Sequence, residues 1–181
     1  MTHSNKEISE LREELSSLKK RLDKLESQNG GSSENDLFFE EFYLAFENKY
    51  RGEKSEIKER TRPYIDIYRD LIKDPKRPVL DLGCGRGEWI ELLSENGFPN
   101  THGIDGNSVM VKSCVDSGLN ASQADIFDYL ATAPNDTYGA ISAMHVIEHI
   151  PFKKLISLFQ EVYRCLAPGG IALFETPNPR N

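Results

Sequence analysis

Three glycines at alternate positions, Gly83, Gly85 and Gly87, follow a short apolar run that contains one acid, Val79-Leu80-Asp81-Leu82. Lacking Cβ atoms, such a loop can turn sharply and let a ligand approach its backbone. The dinucleotide fingerprint is GxGxxG, with its third glycine one place later, so the GxGxG spacing disfavours a nicotinamide dinucleotide, the obvious competitor. Asp81 inside the leading run also suits a cationic group better than a pyrophosphate. A second acid, in Gly103-Ile104-Asp105-Gly106, comes 22 residues after Gly83, where a carboxylate can accept both hydroxyls of a ribose. A third, in Gln123-Ala124-Asp125-Ile126, is placed to reach an adenine amino group. A nucleoside with a cationic tail satisfies all three positions.

The second chemically loaded stretch is His145-Val146-Ile147-Glu148-His149-Ile150-Pro151. Taken alone, HxxEH is also a zinc signature, which requires both histidines on one helix face. Here an apolar run precedes it and Pro151 follows two residues after His149, which interrupts a full helical turn, so no metal is expected. The residue types suit proton abstraction or orientation of an acceptor hydroxyl by His145, Glu148 and His149. A structural role for Glu148 and His149, tying the loop to its neighbours, is an equal alternative. The three cysteines, Cys84, Cys114 and Cys165, form no CxxC pair and read as buried thiols rather than a disulfide framework.

These residues need a scaffold. Apolar strands are expected near Val79 to Leu82, Thr101 to Ile104, Ala121 to Ala124, Ala140 to Met144 and Ile171 to Phe174, separated by helical stretches. That alternation implies an α/β, Rossmann-like, doubly wound and mostly parallel sheet, with ligands beyond the carboxyl ends of its strands. Ahead of it, residues 37–77 form a helical lead-in. Asp36 would cap a helix from Leu37 to Tyr50, Arg51-Gly52 would break it, and a second helix from Glu53 to Ile72 would kink at Pro63. Residues 30–36 lie in the Gly- and Ser-rich stretch Gln28 to Asp36 and read as a flexible linker. In residues 1–29, Ile8, Leu11, Leu15, Leu18, Leu22 and Leu25 trace a coiled-coil seam. Its flanking pairs, Glu7 with Arg12, Glu14 with Lys19 and Arg21 with Glu26, attract in a parallel homodimer through residues 8–25. A lone solvated helix or a different helical partner is the alternative.

Charge narrows the partners. Residues 79–181 carry six basic and twelve acidic groups, the wrong balance for gripping a phosphate backbone, so nucleic acid is a poor substrate. No uncharged apolar stretch approaches the roughly 18 residues of a membrane span, and Met1 to Glu7 lacks the apolar segment of a signal peptide, so the chain reads as cytoplasmic.

The segments VLDLGCGRGEW, GIDGNS, QADIFDYL, YGAISAMHVIEHI and LAPGGIALFETPNP, in that order and spacing, resemble the successive motifs of class I S-adenosylmethionine-dependent methyltransferases. More narrowly, FYLAFENKYRG (Phe42 to Gly52), IKERTRPY (Ile57 to Tyr64) and the terminal ETPNP are similar to methyltransferases encoded with bacterial O-antigen and other surface-polysaccharide enzymes. The resemblance implies S-adenosylmethionine as cofactor: Asp81 and Gly83 by the methionine amino group, Gly85 by the methionyl tail, Asp105 on the ribose, and Asp125 with the Ile126 N–H on adenine. For the methionine carboxylate, Arg60 with Tyr43 would close over that end as a lid, with Arg86 the competitor and a solvated helix charge an equal alternative for Arg60. Cys84 and Trp89 would be packing residues. The acceptor would be a small molecule or glycan facing His145, Glu148 and His149. The family pattern continues past a fifth strand with two more strands and a helix, so residues 78–181 are expected to be a C-terminally incomplete core. Either a working enzyme or a cofactor-binding or coiled-coil scaffold without turnover is compatible with that.

Overall fold

A computed structural model describes residues 33–178. The coiled-coil arm, its proposed homodimer through residues 8–25 and the first part of the linker lie outside the described residues. The chain divides into two units between Phe39 and Glu40, and the second carries everything below. Helix α1, Ser33–Tyr50, crosses that boundary. It begins earlier than the sequence suggested: Ser33 to Asp36 are helical, so they are not linker and Asp36 is not a cap. No Gly or Pro stands between Ser33 and Tyr50 to stop the helix from propagating backwards.

The expected second helix is two. Helix α2, Lys54–Thr61, ends at Arg62, and α3, Pro63–Leu71, starts with the proline at its first position, where the missing N–H costs no intrahelical bond. Ile65, Tyr68 and Ile72 are buried, following the face that the spacing indicated.

Five parallel strands follow: β1 Val79–Leu82, β2 Thr101–Asp105, β3 Ala121–Gln123, β4 Tyr138–Met144 and β5 Leu166–Glu175. They are ordered β3-β2-β1-β4-β5. Between them run α4 Glu88–Glu95, α5 Ser108–Asp116, α6 Ile126–Thr132 and α7 Phe152–Cys165. The strand order reverses between β1 and its neighbours β2 and β4, which opens a crevice at their carboxyl ends.

Strand alternation sorts the core into two layers. Leu80, Leu82, Ile141 and Ala143 pack with Leu130 of α6 and Leu158 and Val162 of α7. Val79, Ala140 and Met144 face the other way, onto Ile65 and Tyr68 of α3 and Trp89, Leu92 and Leu93 of α4. There Trp89 and Phe98 meet the Tyr68 ring edge-on at 5.3 and 5.7 Å, contacts worth about 1 kcal/mol each beyond their burial. Strand β5 is longer than its apolar run implied and takes in Pro168-Gly169-Gly170. Its register shifts against β4 between Tyr138 and Ala140, and such an irregularity accommodates a proline that a regular central strand would reject.

Candidate functional site

The glycine loop is built as its composition requires. Gly83 and Gly85 have φ of 71° and 52°, in the left-handed region that costs other residues roughly 1–2 kcal/mol. A Cβ on Gly83 would meet Val146 Cγ2 at 2.6 Å, so the loop after β1 and the loop after β4 are in van der Waals contact only because Gly83 is bare.

Two cavities meet over these loops. The smaller, about 580 Å³, is lined by Arg51, Arg60, Tyr64, Asp81, Gly83, Cys84, Glu88, Trp89 and Glu175 among others. The larger, about 790 Å³, is lined by Tyr43, Phe46, Glu47, Gly85, Asp105, Met110, Asp125, Ile126, Phe127, Glu148 and His149 among others. Arg51, Gly83, Met144, His145 and Pro177 border both, which makes one crevice with two ends.

Asp105 closes β2 at the larger end. Its Oδ2 accepts the Gly85 N–H at 2.9 Å and its Oδ1 the Asn107 N–H at 2.8 Å. Each carboxylate oxygen has two lone pairs, so two backbone bonds fix the group and leave an acceptor on each oxygen for a pair of hydroxyls. Asp125 serves as the N-cap of α6. Its Oδ1 accepts the N–H groups of Phe127 and Asp128 at 2.8 and 3.1 Å. The Ile126 N–H, at the first helical position, has no intrahelical acceptor. Asp125 therefore has a structural task that the sequence reading did not assign, while its Oδ2 and the Ile126 N–H remain for a ligand.

Asp81 lies beneath the smaller end, 2% exposed. Ser142 on β4 donates to its Oδ1 at 2.7 Å, and Trp89 Nε1 donates to Ser142 Oγ at 3.0 Å. Burial is the main cause that lifts its pKa to about 7, opposed by the Ser142 hydrogen bond and by Arg51, and reinforced by Asp105. A buried carboxyl poised in this way favours a cation brought next to it.

Two expectations change here. Arg86 does not face the crevice: it is 2% exposed, pairs with Glu88 at 2.6 Å, and donates to Glu47 O, Asn48 Oδ1 and Gly52 O at 3.3, 3.1 and 3.1 Å. It satisfies carbonyls at the end of α1, where a cation also suits the helix dipole. Tyr43 and Arg60 do not close over the same end either, because Tyr43 borders the larger cavity and Arg60 the smaller. The cation that spans both is Arg51, read in the sequence only as a helix breaker. It pairs with Glu47 at 2.8 Å, and its Nη1 lies 3.5 Å from where a Gly85 Cβ would be. Its place four residues after Glu47, on one helix face, was the available signal.

His145 follows β4 with φ of 57°, and its N–H donates to Glu175 O at 2.8 Å. Its ring stands between two carboxylates, Nδ1 3.6 Å from Glu148 Oε1 and Nε2 3.4 Å from Glu175 Oε1. Residues Ile147–His149 make a 3-10 turn and Pro151 caps α7. His145 precedes the turn in a left-handed conformation, so the two histidines share no helix face. Among the described residues no three His, Cys, Asp or Glu side chains are grouped to hold a metal ion. Trp89 and Cys84 are both buried and both border the smaller cavity.

With this geometry in place, a profile of the family described as "Methyltransferase domain" matches residues 55–181. The chain belongs to that family. A solved structure described as a SAM-dependent methyltransferase from Archaeoglobus fulgidus is 34% identical to this methyltransferase domain. It superposes with a TM-score of 0.68 over 76% of this chain and 59% of that one. Trans-aconitate 2-methyltransferases of Acidovorax ebreus and Sinorhizobium fredii are 34% and 32% identical over 66% of the chain and 46% of their own length. The chain thus spans about half the length of these curated relatives. The cofactor of the family is S-adenosylmethionine, and the donor set fits it: a carboxylate with two free acceptor sites, a helix N-terminus beside it, and arginines beyond a buried acid. No described helix is long and apolar enough to cross a membrane.

Proposed function

We propose that this methyltransferase domain binds S-adenosylmethionine along the whole crevice and transfers its methyl group to a small hydroxylated acceptor. The observation that carries this is Asp105: a carboxylate oriented by the Gly85 and Asn107 N–H groups, at the mouth of a cavity continuous with one that holds Arg51, Arg60 and Asp81. Asp105 would take the ribose hydroxyls, and Asp125 and the Ile126 N–H the adenine edge. Arg51 and Arg60 would meet the carboxylate of the amino-acid tail, and Asp81 its ammonium group.

When bound, the cofactor would supply an electrophilic methyl carbon to an acceptor in the crevice. His145 borders both ends and would accept the proton of the attacking hydroxyl on one ring nitrogen, while the other nitrogen donates toward the carboxylate of Glu148 or Glu175. Tyr43, Phe46 and Phe127 give the larger end apolar walls beside the positions proposed for ribose and adenine. A saccharide of a bacterial surface polysaccharide is the acceptor class we favour, on the resemblance of Phe42 to Gly52, Ile57 to Tyr64 and the terminal ETPNP. The heptad arm would join two copies in parallel.

Isothermal titration with S-adenosylhomocysteine and with a nicotinamide dinucleotide tests the ligand class: binding of the first alone is expected, and binding of the dinucleotide alone would refute it. Asp105→Ala removes charge-assisted bonds worth about 1.5 kcal/mol or more each, so affinity should fall at least about tenfold. Unchanged affinity would sink the ribose assignment. Methylation of lipid-linked glycan extracts, but not of trans-aconitate, is the expected acceptor result.

A further inference from the structure

The ribose-side carboxylate is wired to the lead-in helix by a continuous set of hydrogen bonds. Asp105 Oδ1 accepts the Asn107 N–H, and Asn107 Oδ1 caps α5 by accepting from the Val109 and Met110 N–H groups at 3.0 and 2.9 Å. The Asn107 amide donates to the Glu40 carbonyl at 3.3 Å, and the Ser108 N–H donates to Glu40 Oε2 at 2.9 Å. The Ser108 hydroxyl donates to the same oxygen. Glu40 thus places a carboxylate on free N–H groups in the first turn of α5, where both the hydrogen bonds and the helix dipole favour it.

From Glu40 the helix continues to Tyr43, Phe46, Glu47 and Tyr50, all of which line the larger cavity. Its two ends are held unequally. At the far end the buried Arg86 grips Glu47 O, Asn48 Oδ1 and Gly52 O, and Lys54 Nζ donates back to Arg86 O at 2.9 Å. Gly52 there has φ of 98°, a backbone state open to glycine and suited to a pivot. At the near end Glu40 itself is only half-buried, against 2% exposure for Arg86.

We infer that Glu40 is the latch of a lid: the segment Glu40–Tyr50 opens at its Glu40 end about the Arg51-Gly52 pivot to admit and release the cofactor, and closes when Glu40 docks on Ser108. Because Asn107 bonds to both Asp105 and Glu40, a ligand that orders Asp105 also orders the docking site. Glu40 is in this sense a positioning residue; it need not touch the cofactor. The inference rests on the cofactor reading above.

The test uses the full chain and S-adenosylhomocysteine. Glu40→Ala should speed its release, measured by rapid displacement of radiolabelled ligand, by about tenfold or more, the loss expected for bonds to a charged group. Without ligand, amide exchange across Phe42 to Tyr50 should quicken while that of β1 and β4 is unchanged. Glu40→Gln keeps an acceptor for the Ser108 N–H and should recover most of the slow release. Glu41→Ala, an exposed neighbour on the same helix, should behave as wild type. Release unchanged in Glu40→Ala, or exchange raised equally in β1 and β4, overturns the latch. A wild-type chain that binds no S-adenosylhomocysteine fails at the cofactor reading instead, and is recognised by the absence of titration heat before any variant is made.

Discussion

Replacing Asp81 by Asn should make the fold more stable and the ligand weaker at the same time. Asp81 of β1 is buried on the floor of the smaller cavity against Ser142 of β4, and in the folded chain its pKa is lifted from 3.8 to about 7. Its proton is therefore held more tightly folded than unfolded. Stability from this group is fully present below about pH 4 and drains away as the pH rises through 7. At about 1.4 kcal/mol for each tenfold change in proton affinity, the loss approaches 4 kcal/mol in order of magnitude. Asn keeps an oxygen for the Ser142 hydroxyl, 2.7 Å away in the wild type, and does not ionise. Urea unfolding of both proteins between pH 5 and pH 8 should give an advantage to Asp81→Asn that grows with pH and levels off near pH 8 at several kcal/mol. S-adenosylhomocysteine affinity at pH 8 should fall, because the carboxylate that meets the amino-acid ammonium group is gone. An advantage that does not change with pH, or a variant less stable than wild type at pH 8, would refute the reasoning. A parallel fall of stability and affinity would mean that the substitution had only damaged the core.

Three other perturbations follow from the same geometry. Arg51→Ala removes a charge that holds the Asp81 pKa down and so should both weaken S-adenosylhomocysteine binding and shift the pH dependence of stability upward, as unfolding curves across pH would show. Gly83→Ala should lower stability by roughly 2 kcal/mol or more, from the left-handed backbone and a methyl 2.6 Å from Val146 Cγ2; adding Val146→Ala should return the part due to the clash in thermal unfolding. Arg86→Met strands the buried Glu88 carboxylate and should cost about 3–5 kcal/mol in denaturant unfolding, whereas Arg86→Met with Glu88→Leu should recover much of it.

The strands were legible because β1 and β4 are buried along their whole length and are apolar but for a few positions such as Asp81 and Ser142, and the glycine loop because backbone at φ of 71° and 52° excludes most other residues. Asp105 and Asp125 were legible as acids at strand ends. What the sequence hid depends on pairings that only the folded chain makes. Asp81 and Ser142 meet because β1 lies beside β4 in register, which strand order alone decides. Glu40 reaches Ser108 across 68 positions of chain, and no periodicity carries that information. Arg86 looked like a ligand cation because charge says nothing about burial; besides Glu88, its partners are Glu47 O, Asn48 Oδ1 and Gly52 O, more than 30 positions away and invisible to any motif. Arg51 was passed over because its glycine neighbour marked a break, and the same break is what aims its side chain over Gly85.

Trp89 is the one tryptophan in the 181 residues, and its indole N–H is bonded to the hydroxyl that in turn holds Asp81. The protein therefore carries its own optical reporter at the floor of the crevice. Excited at wavelengths that the seven tyrosines do not absorb, the indole is expected to register in its emission whether the acid beneath it is protonated and whether the space above it is filled, with no label attached.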